Sequence, residues 1–197
     1  MDVNRLGRAS GAASVVLAFG GTLLAMGLSP SFTWTEHALS DLGVAWTDAG
    51  TTATVLLFDG GLVLGGLAGL AFARCLVWTG VDRLDRLAGG AFGVTSASMG
   101  AVGLFPLGTT LHVPVAVAFF LGISITAALA GAGALRRGVT GYGAASLALA
   151  VANLGAWLAW ALAGGTAVVG LAVPELWGSL VLATWVLLTV RRWPPAP

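Results

Sequence analysis

Two histidines and five carboxylates fall, by sequence position, on the same side of a chain that is otherwise overwhelmingly apolar. The densest stretch is Thr33-Trp34-Thr35-Glu36-His37-Ala38-Leu39-Ser40-Asp41-Leu42-Gly43. Thr33 and Glu36 stand at capping-box spacing, and Gly43 suits a left-handed C-cap. The segment therefore predicts a helix of two to three turns lying at the membrane surface. On such a helix His37 and Asp41 are four residues apart and share a face, with Trp34 one turn earlier and Ser40 alongside. A histidine–carboxylate pair so placed can orient an imidazole as a general base or supply half of a metal site. It can equally dock the loop onto its neighbours as a hydrogen-bonded plug.

Asp59 lies inside a long apolar run, where a carboxylate costs about 2.5–3.5 kcal/mol on insertion scales, so it should face other protein groups. Glu175 mirrors it in the last apolar run, just after Pro174, a residue expected to kink the helix and open room for a polar site. His112 opens another run with Pro114 in its first turn, where a missing amide is harmless. The catalytic candidates are thus His37, Asp41, Asp59, His112 and Glu175. Trp34, Ser40 and Asn153 are candidates for ligand binding, and His37, Asp41 and His112 for a divalent metal. Ser40 lacks the turn motif that activates a serine nucleophile.

The elements that must position these groups are membrane-spanning. Of 197 residues, 57% are hydrophobic and 9% charged, against about 25% charge in a soluble domain. Six apolar segments, 9–28, 51–78, 87–105, 113–135, 141–163 and 166–190, are each long enough to cross about 30 Å of hydrocarbon. Their continuous apolarity excludes the alternation of a transmembrane barrel. The fold expected is an all-α bundle of six transmembrane helices in one domain, 1–197, with a short interfacial helix in the first outer loop.

All nine basic residues are arginines, and each falls on one side of a six-helix path. By the positive-inside rule that side is cytosolic, so both termini are expected there, in a plasma-membrane protein. Glu36, Asp41, Asp48, Asp59 and Glu175 occupy the opposite side with no base. Trp34, Trp46, Trp157, Trp160 and Trp177 suit an interfacial belt on that side, and Trp78 and Trp193 one on the arginine side. Gly61, Gly65 and Gly69 give one helix a smooth face, as do Gly93, Ala97 and Gly100 on the next. Such faces serve packing within the chain or contact with a second copy. The tail 193–197 reads as a short proline-rich end.

Composition narrows the partners. The absence of lysine excludes a retinal Schiff base, the single Cys75 excludes an internal disulfide, and a net charge of +1 argues against nucleic acid. Membrane lipids are the expected partners, with a homo-oligomer through the glycine faces as a further candidate. The alanine- and glycine-rich, lysine-free composition suits an archaeal or actinobacterial host.

His37-Ala38-Leu39-Ser40-Asp41-Leu42-Gly43, Leu57-Phe58-Asp59-Gly60-Gly61, and Gly103-Leu104-Phe105-Pro106 followed by His112 and Phe119-Phe120 resemble the uncharacterised membrane family known as domain of unknown function 998. The resemblance spans roughly residues 10–190. It implies the fold and topology and carries no established activity. Three roles are therefore open: a scaffold or assembly partner whose polar cluster is structural, a binder of a lipid head group or small ligand with metal-assisted hydrolysis as its enzymatic version, and a proton-coupled transporter working through Asp59 and Glu175.

Overall fold

The computed structural model describes residues 2–193. It contains helices α1 (Val3–Leu28), α2 (Thr52–Thr79), α3 (Arg83–Leu104), α4 (His112–Arg136), α5 (Thr140–Leu162) and α6 (Ala172–Arg192), with no strand among the described residues. Each has 21 to 28 residues and the hydropathy to cross a membrane. Polar side chains set three of the starts. Asp2 accepts the Asn4 amide ahead of α1, and Asp82 accepts the Asp85 amide ahead of α3. Thr51 and Thr54 cap each other's amides ahead of α2, which satisfies donors the helix cannot reach.

Successive helices run antiparallel and pack through small residues. A methyl group on Gly61 would lie 2.7 Å from the Leu17 carbonyl of α1, and one on Gly66 would lie 2.8 Å from the Ser96 carbonyl of α3. Ser14 donates to the Gly65 carbonyl at 2.9 Å. The glycine face expected on α2 is thus used within the chain, against both sequence neighbours. In α4 and α5, Ser124 reaches the Ala150 carbonyl (3.2 Å), and Asn153 reaches the Phe120 carbonyl (2.9 Å) and Ser124 (2.8 Å). Tyr142 and Thr189 join α5 to α6 at 2.9 Å.

The bundle has chemically opposite ends. All nine arginines lie at the end where α1 begins and α6 finishes. There Arg137 clamps Asp82 (2.7 Å) and Asp85 (2.9 Å), tying the α2–α3 turn to the end of α4. Just inside this end an aromatic layer crosses the core. Phe72 meets Phe92 edge-on at 5.5 Å and lies tilted at 5.4 Å from Trp193, and Phe92 lies 5.4 Å from Trp185. All four rings are buried. Trp193, expected at the interface, is therefore a core residue, and its indole N–H donates to Asn4 at the start of α1. The rest of the proline-rich tail lies outside the described residues.

Two elements differ from expectation. The stretch after Thr33 forms a turn and then a 3-10 turn, Leu39–Gly43, in place of a surface helix of two to three turns. Leu39, Ser40, Leu42 and Gly43 are buried, so the segment plugs the bundle and does not lie upon it. The last helix starts at Ala172, six residues later than expected. Gly164 and Gly165 take positive φ, and the amide of Gly170 donates to the Trp34 carbonyl. Pro174 consequently sits in the first turn of α6, where it costs no hydrogen bond and bends nothing.

Candidate functional site

The acidic end is closed by the loop between α1 and α2, and most of its polar groups hold that loop in place. His37 Nδ1 accepts the Thr33 amide at 3.0 Å, and Nε2 meets Asp48 at 2.9 Å. The Asp48 hydrogen bond raises the pKa of this buried histidine, and in return His37 holds the exposed Asp48 below the usual carboxylate range. The partner of His37 is thus Asp48, eleven residues on, and not Asp41. Asp41 instead accepts the Ala38 amide at 2.8 Å, capping its own 3-10 turn. His37 also stacks on Phe32, and its carbonyl accepts the Ala172 amide at the start of α6.

Glu175, in the first turn of α6, is buried, and its Oε2 accepts the main-chain N–H of Leu39 at 2.6 Å. His112 begins α4, and its Nδ1 donates to the Phe105 carbonyl at 2.8 Å, closing the short α3–α4 connection. That carbonyl can only accept, so Nδ1 carries a proton, and the neutral tautomer this selects leaves Nε2 as the acceptor. Ser40, buried in the 3-10 turn, hydrogen-bonds to no side chain or carbonyl among the described residues.

These three residues come together. Ser40, His112 and Glu175 line one pocket of about 390 Å³ whose other walls are apolar, with Ala116, Val117 and Phe120 of α4 and Trp157 of α5 prominent. The volume falls in the range that small-molecule sites occupy. Val113, Val117 and Leu121 recur every four residues along α4 and are half to two-thirds exposed, as is Leu154 of α5. The pocket therefore opens sideways between α4 and α5, onto surface that faces lipid. Among the described residues the Ser40 hydroxyl, His112 Nε2 and Glu175 Oε1 form no hydrogen bond, and none of the three is a fully enclosed atom. A void of about 40 Å³ and another of about 30 Å³ continue inward from this trio and share Thr22, Leu62, Met99, Phe119 and Ser179.

The remaining candidates stand apart. Asp59 packs against Gly43 of the 3-10 turn, and its Oδ1 is buried with no hydrogen bond among the described residues. Asn153 lines the pocket, but its amide nitrogen is committed to Phe120 and Ser124, and its Oδ1 lies against Gly178. Trp34 is half exposed; its ring meets Phe32 edge-on at 5.3 Å, and its carbonyl accepts the Gly170 amide. Among the described residues no three His, Cys, Asp or Glu side chains gather as a metal site would require. Sequence reasoning missed Asp48 and Gly170. An aspartate within an exposed loop gives no local signal of its partner, whereas a glycine just ahead of a proline-started helix does mark a break.

Six membrane-length helices with a buried polar trio beside an apolar lateral pocket define a polytopic integral membrane protein. A family model described as "Protein of unknown function (DUF998)" matches residues 12–192, and the chain belongs to that family. No curated protein and no solved structure matches it.

Proposed function

We propose that this protein holds an amphiphilic ligand drawn sideways from the membrane, with the tail along α4 and α5 and the head against Ser40, His112 and Glu175. The observation that carries this reading is the pocket of about 390 Å³, apolar along its walls and polar at one corner. An aqueous solute would gain little from Val117 and Trp157, and a plain hydrocarbon would leave three polar atoms without partners. The track from Val113 to Leu121 is about 12 Å long at 1.5 Å per residue, enough for much of an acyl chain.

In the same reading the arginine end faces the cytosol of the cell that makes the protein. The pocket then opens into the outer leaflet of its plasma membrane. The distribution of the nine arginines supports this orientation.

A purely structural role has its own support. His37, Asp41 and one oxygen of Glu175 are engaged in fastening the loop. That accounts for those groups and leaves Ser40 and His112 Nε2 unexplained. Hydrolysis gains no support, because no hydrogen bond joins Ser40 to either histidine. Transport gains none either, because the inward voids share no lining residue with the cavity beside Arg137 and Trp193 at the arginine end.

The test is native mass spectrometry of the gently solubilised protein beside Ala116→Phe, which fills the pocket from α4. The wild type should carry a bound amphiphile that the variant lacks, with both unfolding at similar temperatures. Equal occupancy in the two proteins would dispose of the pocket.

A further inference from the structure

The three free atoms of the trio differ little in hydrogen-bonding sense. In the neutral imidazole His112 Nε2 is an acceptor, because Nδ1 carries the proton that it donates in a hydrogen bond to the Phe105 carbonyl. Glu175 Oε1 is an acceptor, its sister oxygen already taking the Leu39 amide. Ser40 can accept as well as donate. The same end of the bundle carries Glu36, Asp41, Asp48 and Asp59, and every arginine of the chain is at the other end. In a corner walled by Phe120 and Trp157 these effects are amplified, because water is scarce and the local dielectric is low.

We propose that the head of the ligand is a hydrogen-bond donor, uncharged or cationic, bearing hydroxyl or ammonium groups, and that anionic phosphate heads are rejected. This rests on the amphiphile pocket argued above and specifies its chemistry. A phosphate would bring its negative charge to the end of the bundle that carries five carboxyl side chains and no guanidinium to offset it. A glycerol or ammonium head supplies the protons that all three atoms can take.

The experiment uses the full chain in phosphatidylcholine nanodiscs and three probes with the same lauryl tail: monolauroylglycerol, laurylamine and lauryl phosphate. Binding is read by native mass spectrometry in competition. The glycerol or the amine probe should bind at least ~10-fold more tightly than the phosphate, and whichever leads distinguishes hydroxyl from ammonium recognition. Glu175→Gln keeps an acceptor for Leu39 and should narrow that ratio. Ser40→Ala, a milder change, should weaken the glycerol probe and leave the phosphate unaffected. Lauryl phosphate binding as well as the others overturns the head chemistry while leaving the pocket standing. So does an unchanged ratio in both variants. If no probe binds, or if Ala116→Phe binds all three like the wild type, the pocket itself is wrong and the head chemistry falls with it.

Discussion

Glu175 Oε2 accepts the main-chain N–H of Leu39 at 2.6 Å, joining the first turn of α6 to a loop 136 residues earlier in the chain. Both groups are buried, so this bond decides whether the 3-10 turn stays seated in the bundle.

Glu175→Ala should leave the Leu39 amide buried and unsatisfied, at a cost of about 1–3 kcal/mol. Glu175→Gln retains a carbonyl acceptor of similar reach and should cost much less. Thermal unfolding of the two purified variants measures the difference, and equal losses would show that the carboxylate is not held for this bond.

The His37–Asp48 latch should respond to pH from both sides. The His37 pKa is raised, so its contribution is fully present below the ordinary histidine value of 6.5 and fades as pH climbs through the higher folded value. The Asp48 pKa is lowered, so its contribution is present above 3.8 and fades as pH falls through the lower folded value. Protection factors of the Ala38–Asp48 amides, taken relative to intrinsic base-catalysed exchange, should be highest in mildly acidic solution and fall toward alkaline pH. His37→Phe, which preserves the ring against Phe32, should flatten that dependence.

Gly170 is a docking point where a side chain has no room. A methyl group there would come within 2.6 Å of the His37 carbonyl and 2.7 Å of the Trp34 carbonyl, both rigid backbone. Gly170→Ala should lower stability by about 1–3 kcal/mol. Gly155→Ala on the open face of α5 meets nothing within 4 Å and should be neutral or gain up to ~1 kcal/mol. Melting temperatures moving in opposite directions are the expected outcome.

The orientation can be read by single-cysteine labelling. Cys75 is the chain's one cysteine and is buried, so Cys75→Ala provides a clean background. In intact cells an impermeant maleimide should label Glu36→Cys and spare Arg136→Cys, both exposed positions at opposite ends. Labelling of both from outside would undo the proposed sidedness.

The parts of this architecture that follow local rules were legible in the sequence. Apolar length located six helices, and the four-residue spacing of Gly61, Gly65 and Gly69 identified a packing face. Pairing of Ser40, Asp41 and His37 on one helix failed because a local pattern was trusted where distant groups decide. The capping contact from Thr33 to Glu36 exists only at 3.5 Å, while Trp34 and His37 give their carbonyls to Gly170 and Ala172. Those bonds unwind the segment and bury its far half. The same argument explains α6, whose start is set by the docked Gly170 and not by hydropathy. His112, Ser40 and Glu175 were each singled out from sequence. Their convergence on one pocket depends on helix packing that no spacing rule encodes.

The contiguous rings of Phe72, Phe92, Trp185 and Trp193 fill the core near the arginine end. A molecule held in the proposed pocket would thus enter and leave from the acidic end alone. Occupancy would then report the composition of one leaflet alone, as a gauge does, whatever the concentration on the far side.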